Sequence, residues 1–160
     1  MIVSFEELSP NSKIWVFKGQ RAFDLNEKEE TKKYLEEFMA SWLSHGSKVR
    51  GGFKFYEDQF LLIGAESEGG PPSGCSTDGL VHFIQDLSKK IGINLLDNGS
   101  IFFKDGDSFK RAEFQKISEF IQNGELKENT LVLNSQVTQK KDLDERLIVE
   151  AINYLGPQYF

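Results

Sequence analysis

The stretch "KVRGGFKFYEDQFLLIGAE", residues 48–66, determines most of the predicted fold. It contains two runs of aromatic and aliphatic residues that meet at Glu57 and Asp58, which is the pattern of a β-hairpin. In the second run, Phe60 and Leu62 point to one side of the strand, and Leu61 and Ile63 point to the other. Both faces of the sheet are therefore apolar, and other parts of the chain must cover both of them.

Two elements are predicted before this hairpin. The segment "SKIWVFKG", residues 12–19, is rich in β-branched and aromatic residues and predicts a strand. A helix follows, with Asn26 as its N-cap, Glu29 as the capping-box partner and Gly46 as the residue that ends it. Its apolar face repeats at helical spacing and comprises Leu35, Phe38, Met39 and Trp42.

A second helix and a fourth strand are predicted after the hairpin. The helix starts near Ser76, ends at Gly92, and buries Leu80, Ile84, Leu87 and Ile91. The segment "INLL", residues 93–96, predicts the strand. The order βαββαβ predicts an α+β fold of the ferredoxin-like type, with a four-stranded antiparallel sheet and both helices on one face. Residues 1–97 form this predicted core.

Residues 98–160 are expected to form a C-terminal hairpin and helix extension that covers the other sheet face, so that core and extension make one compact unit. A hairpin is predicted around Asp105 and Gly106. A short helix marked by Phe114, Ile117 and Ile121 follows, and then a strand at "TLVLN", residues 130–134. A last helix is predicted over residues 143–155, up to Gly156 and Pro157.

Composition restricts the classes of function. The chain has 160 residues, of which 39% are hydrophobic and 14 are Phe, which is typical of a globular domain with an aromatic core. A single Cys excludes an internal disulfide and a multi-Cys zinc site, and the two His residues make a His-rich metal centre improbable. We expect neither a metal nor another cofactor.

The chain shows no targeting or nucleic-acid signature. The opening "MIVSFEELSP" lacks the features of a signal peptide, and no apolar run reaches the ~20 residues of a membrane span, so a cytoplasmic location is expected. A net charge of -6 opposes nucleic-acid binding. The stretch "RGGFKFY", residues 50–56, resembles an RNA-binding motif but has Gly52 where an aromatic residue is needed. No nucleic-acid partner is predicted.

The stretch "GPPSGCSTDG", residues 70–79, contains the only cysteine, Cys75, next to the predicted helix start. A thiolate there can be stabilised by the helix dipole and by free N–H groups. Together with His82, His45 and Asp78, Cys75 would form the candidate catalytic set of a thiol enzyme. However, His82 falls on the helix side opposite the apolar face, about 10 Å along the axis from Cys75.

A structural interpretation of the same residues is favoured. Ser76 would be the N-cap, and Cys75 and Leu80 would form a hydrophobic staple. His82 would be solvated, and His45 would cap the first helix. The segment containing Gly74, Cys75, Ser76 and Asp78 is the candidate binding site, because helix N-termini attract anions.

The stretches "WLSHG", "GCSTDGLVHFIQDL" and "ENTLVLN" resemble a group of short proteins, mainly from Bacteroidota, that carry the label "ABC transporter ATPase". The resemblance covers nearly the whole chain, and the core Gly74-Cys75-Ser76-x-Asp78 is its most specific part. It implies a bacterial protein and draws attention to the Cys75 loop. The label implies ATP hydrolysis, but "GSKVRGGF", residues 46–53, lacks the lysine of a P-loop, so a genuine ATPase is not expected.

Two functions from different classes follow. The favoured one is a non-catalytic domain that binds a protein or a small ligand, including a second copy of itself as a homodimer. The alternative is a thiol-dependent enzyme or redox sensor that uses Cys75. A third hypothesis comes from residues 101–134, which resemble GYF-like modules that bind proline-rich segments.

Overall fold

The computed structural model describes residues 1–160 and shows an α+β protein with antiparallel sheets. The strands are β1 (Lys13–Lys18), β2 (Leu43–Ser44), β3 (Ser47–Lys48), β4 (Arg50–Tyr56), β5 (Phe60–Glu66), β6 (Ser100–Asp105), β7 (Ser108–Glu113), β8 (Leu131–Leu133) and β9 (Ile148–Glu150). The helices are α1 (Leu25–Ala40), α2 (Gly74–Ile91), α3 (Ile117–Gln122), α4 (Leu143–Arg146) and α5 (Ala151–Leu155). None of the helices combines the length and apolarity that crossing a membrane requires.

The first sheet has three strands in the order β1-β5-β4, and the predicted hairpin provides two of them. Glu57 and Asp58 form its turn with positive φ angles of 53° and 56°. β5 is the central strand, and its residues from Phe60 to Ala65 are buried. Since β5 alternates apolar residues on both sides, the sheet has two apolar faces, as the sequence predicts.

Helices α1 and α2 cover one face of this sheet. Leu61 and Ile63 of β5 pack there with the helical residues in a single buried cluster. The predicted inward face of α2 is confirmed, since Leu80, Ile84, Leu87 and Ile91 are all buried. Gly92 ends α2 in the left-handed conformation with φ of 74°, which glycine adopts without a side-chain clash.

The C-terminal segment covers the other face, as expected. A second sheet has four strands in the order β7-β6-β8-β9 and faces the first sheet. Phe60 of β5 contacts Phe102 of β6 and Phe109 of β7 edge to face, with ring centroids 5.5 and 4.9 Å apart. A third buried cluster joins the second sheet to α3 and α5. The boundary proposed at Asp97 stays a prediction.

The predicted fourth strand of the first sheet does not form, so the ferredoxin-like arrangement is not confirmed. Leu96 makes one isolated parallel bridge with Lys18 of β1. Side-chain oxygens occupy the amides that a strand would use, because Leu95 N–H donates to Ser88 Oγ and Leu96 N–H donates to Asn94 Oδ1. The segment therefore packs its apolar side chains without extending the sheet.

Helix α1 begins two residues earlier than predicted. Its N-cap is Asp24 rather than Asn26, and its capping-box partner is Glu27 rather than Glu29. Glu27 N–H donates to Asp24 Oδ1, and Asp24 N–H donates back to Glu27 Oε1. Hydrogen bonds from the Arg21 guanidinium and the Asp24 backbone lower the pKa of Glu27 to about 2. The Arg21–Glu27 pair thus adds a contact to the observed cap.

Helix α1 also ends earlier than predicted, at Ala40 instead of near Gly46. The chain turns at Ser41 and forms the small β2–β3 hairpin, in which Val49 N–H donates to Trp42 O. Trp42 is buried, and its indole N–H donates to Ser76 O at 3.1 Å. This anchoring of Trp42 against α2 is a tertiary contact that the helical spacing of the sequence does not predict.

The predicted last helix is divided into three elements. Ile148 and Val149 are β-branched and pair with β8, so that α4 ends before them and α5 begins after them. Leu143 and Leu147 pack against the first sheet, whereas Ala151 joins the third cluster. The apolar residues that the sequence places on one helix face thus pack into two separate buried clusters.

Candidate ligand cleft

The structure places Cys75 inside α2 rather than before it. The N-cap is Ser73, whose side chain accepts a hydrogen bond from Ser76 N–H at 3.2 Å. Cys75 is therefore the second residue of the helix, and its side chain is exposed. The predicted staple between Cys75 and Leu80 is wrong, because Cys75 is exposed and lies inside the helix, whereas Leu80 is fully buried.

The structure does not bring the other predicted site residues to the thiol. His82 and Asp78 lie exposed on α2, which agrees with the solvated position predicted for His82. His45 does not cap α1, because it occupies the turn between β2 and β3 with φ of 51°. The hydrogen bonds near Cys75 join serine and threonine hydroxyls with one another and with the backbone, and none involves a histidine.

The predicted binding residues have mainly structural contacts. Ser76 is buried and donates a hydrogen bond to Leu43 O at 2.6 Å, which ties α2 to β2. Gly74 and Asp78 are near the helix surface without a further partner. No three His, Cys, Asp or Glu side chains come together as a set of metal ligands.

A different site stands out at one end of the first sheet. The beginnings of β1 and β4 and the end of β5 lie side by side there, because β5 runs antiparallel to both. They border a cleft of about 860 Å³. Polar or charged side chains belong to 11 of the 15 lining residues, which are Met1, Ser9, Asn11, Ser12, Lys13, Lys48, Arg50, Ala65, Glu66, Ser67, Glu68, Gly70, Pro71, Thr138 and Gln139.

The Gly/Pro-rich loop before α2 forms one wall of this cleft. Ser67 and Gly70 exchange backbone hydrogen bonds of 3.1 and 3.2 Å, and Ser67 Oγ donates to Gly70 O. Gly70 has φ of 134°, a conformation that side chains rarely adopt. Ser67, Glu68, Gly70 and Pro71 line the cleft, whereas Cys75 does not.

Glu66 is held rigidly at the floor of the cleft. Its Oε2 accepts hydrogen bonds from Ser9 N–H at 3.1 Å and from Ser12 Oγ at 2.9 Å. Its Oε1 accepts from Arg50 Nη1 at 2.8 Å. Burial would raise the pKa of Glu66, but the bonds from Ser9 and Ser12 and the charge of Arg50 outweigh it, so the pKa is lowered. The carboxylate is thus fixed in its ionised form.

Two lysines add positive charge to the cleft. Lys13 Nζ lies over the ring of Trp15, 5.4 Å from its centroid, and forms no ion pair. Lys48 is exposed and unpaired at the rim. Glu68 is the other acidic lining residue, and it too forms no ion pair. The side-chain charges of the cleft without an ion-pair partner are therefore those of two lysines and one glutamate. The N-terminal ammonium of Met1, which donates to Met39 O and Val49 O, adds a further positive charge.

The sequence contains one signal for this cleft. The observed three-residue turn at residues 57–59 places Arg50 opposite Glu66, whereas a two-residue turn at Glu57 and Asp58 would place it opposite Ala65. The two opposite charges at the open end of the hairpin therefore mark a fixed ion pair. The contribution of Ser9, Ser12 and Lys13 has no local signal, because these residues reach the site only through the pairing of β1 with β5.

A second polar cluster lies between the two sheets, outside the cleft. Lys18 is buried at the end of β1, and its ammonium lies 5.9 Å from the centroid of Phe102. Burial lowers the pKa of Lys18, and the charge of Asp97 only partly offsets this. Asp97 is instead bonded by Arg111 Nε at 2.6 Å. Ser100 is also buried in this cluster, next to Asp97.

Comparison of the chain with protein-family models, with curated proteins and with solved structures gave no match.

Proposed function

We propose that this protein is a non-catalytic binding domain that holds a small polar ligand in the cleft at the end of the first sheet. One observation carries the proposal: a cleft of about 860 Å³ is lined by charged and hydroxyl side chains around the fixed Arg50–Glu66 pair. Its size is in the range of small-molecule sites. A rigid carboxylate and guanidinium offer a ligand a prearranged acceptor and donor surface, which reduces the entropy lost on binding.

The cleft is formed by sheet ends rather than by mobile segments alone. Lys13 and Arg50 belong to strands that pair with β5 along most of their length. The opposite wall is fixed too, because Ile14 N–H donates to Thr138 O at 2.9 Å. Ligand-binding groups on paired strands keep their positions better than groups on free loops. This arrangement supports binding as the function of the cleft.

A thermal-shift screen of metabolite-sized compounds tests the proposal, because a ligand of the folded state raises the melting temperature. The decisive variant is Thr138→Trp, which adds a large side chain at an exposed position of the cleft lining. Its matched control is Gln136→Trp, two residues earlier, exposed and outside the lining. We expect compounds that stabilise the wild type and Gln136→Trp but not Thr138→Trp. Compounds that stabilise all three proteins equally would place the ligand elsewhere.

The remaining sequence expectations stay predictions. Thiol chemistry at Cys75 is the second candidate, and it is favoured only by the exposure of the side chain near the start of α2. A protein partner or homodimer is tested by the mass in solution, and the cytoplasmic location by cell fractionation. We do not propose ATP hydrolysis, because residues 46–53 form a turn and two strands rather than a loop that opens a helix.

A further inference from the structure

We propose that the ligand of the cleft is a small organic anion that carries two acidic groups. This inference rests on the proposed binding function and adds the chemical class of the ligand. It follows from which charges in the cleft already have partners and which remain free.

The negative charge of the Glu66 carboxylate is already compensated by donors of the protein. The carboxylate accepts hydrogen bonds from Ser9, Ser12 and Arg50. These three bonds use most of the roughly four acceptor sites of a carboxylate, so little acceptor capacity is left for a cationic ligand. Glu66 therefore fixes the cleft wall instead of attracting a ligand amine.

The cationic groups, in contrast, have N–H donors without an acceptor. Lys13 and Lys48 form no ion pair, and only Nη1 of Arg50 is bonded to Glu66. A guanidinium has five N–H donors, so most of those on Arg50 are free for a second acceptor. This local positive charge stands out in a chain with a net charge of -6. Such a contrast steers small anions toward the cleft.

The positions of these groups favour two acidic groups over one. Lys13 is on β1 and Arg50 is on β4, on opposite sides of β5. Two strand spacings separate their backbones by about 10 Å, and both side chains border the same cleft. Lys13 is paired with Ala65 and Arg50 with its neighbour Glu66. Successive strand residues point to opposite faces, so the two cationic side chains lie on opposite faces of the sheet end. One carboxylate at either face meets one of them, whereas a short dicarboxylate or a phosphorylated acid that crosses the sheet end meets both. Glu68 at the rim disfavours ligands with a larger negative charge.

Titration with glutarate and with glycerol 3-phosphate tests this class, with butyrate as the single-acid control and glutaramide as the uncharged control. The native reporter is Trp15, because an anion that draws Lys13 off its ring changes the tryptophan emission. Calorimetry on the same samples measures the affinity. The variants are Lys13→Gln, Lys48→Gln and their combination, with the exposed Lys33→Gln on α1 as the matched charge control.

We expect at least one diacid to bind more tightly than butyrate and glutaramide. Each single variant should weaken that binding about threefold to fivefold and the double variant about tenfold or more, while Lys33→Gln has no effect. Equal binding of glutaramide, or full affinity in the double variant, would overturn the inference. If neither diacid binds at millimolar concentration, the inference also fails. The proposed binding function would still stand if neutral compounds stabilise the wild type but not Thr138→Trp.

Discussion

Lys18 lies at the end of β1 with 7% of its surface exposed and without an ion-pair partner. A buried charge of this kind usually lowers stability, and its replacement by an apolar residue of similar length is often neutral or stabilising. We expect Lys18→Met to raise the free energy of unfolding at neutral pH by about 1 kcal/mol. Urea denaturation measures this, with Lys33→Met as the exposed control. A loss of more than about 2 kcal/mol would show instead that the ammonium makes a required contact.

The pH dependence of that difference follows from the lowered pKa of Lys18. At low pH the side chain is charged in both the folded and the unfolded protein, so the folded state bears the full cost of burial. As the pH rises from the folded pKa toward the unfolded value of 10.5, that cost disappears and the wild type gains stability. The advantage of Lys18→Met should therefore shrink on the alkaline side. A constant difference across this range would contradict the assignment.

Cys75 is exposed and takes part in no hydrogen bond, so its removal should have little effect. We expect Cys75→Ser to change the free energy of unfolding by less than about 0.5 kcal/mol and to leave cleft binding unchanged. The rate of iodoacetamide alkylation against pH is the accompanying measurement. A thiol that reacts much faster than cysteine in a flexible peptide at neutral pH, or a ligand that protects it, would favour the thiol-dependent alternative.

At the level of single elements, helix α1 offers a direct comparison between sequence and structure. The structure assigns the N-cap to Asp24 and leaves Asn26 exposed inside the first turn. We expect Asp24→Ala to destabilise the protein by about 1 kcal/mol, since it removes the cap of Glu27 N–H. Asn26→Ala should be neutral or slightly stabilising, because Ala has the higher helix propensity. Chemical denaturation of both variants measures these effects. If Asn26→Ala is the more destabilising variant, the cap predicted from the sequence is the correct one.

The elements that the sequence predicts well are those with a strong local period. The four buried residues of α2 repeat at helical spacing, and the two hairpins turn at polar or glycine-containing residues, 57–59 and 106–107, so local patterns predict these elements. The elements that differ depend on tertiary contacts. Trp42 lies beyond the end of α1, and its indole N–H donates to Ser76 O. Ile148 lies within the predicted last helix but pairs with β8 as a strand residue. No local pattern distinguishes these outcomes from a continued helix.

At the scale of the whole molecule, the two sheets share one apolar interface centred on Phe60. This residue is fully buried and contacts the rings of Phe102 and Phe109. We expect Phe60→Ala to cost about 3–5 kcal/mol, whereas Phe114→Ala, at an exposed position, should stay within about 0.5 kcal/mol. Circular dichroism and tryptophan emission during denaturation should report one transition. Two separate transitions would mean that the sheets fold independently.

The two apolar faces of β5 allow the sequence to predict that the C-terminal segment covers the first sheet. They do not predict the cleft, because its lining residues come from the beginnings of β1 and β4, the end of β5 and two distant loops. The sequence instead drew attention to Cys75, a rare residue in an unusual stretch. Its position inside α2 depends on Ser73 as the cap, and Ser73 and Ser76 are equally plausible caps by residue type.

The most direct measurement is a titration of backbone amide NMR signals with glutarate. Binding in the cleft should shift the signals of Lys13, Arg50, Glu66 and Ser67, which line it, and leave the start of α2 unchanged. The Thr138→Trp variant should abolish these shifts. Shifts that instead concentrate on residues 74–78 would move the functional site back to the thiol and contradict the assignment of the cleft.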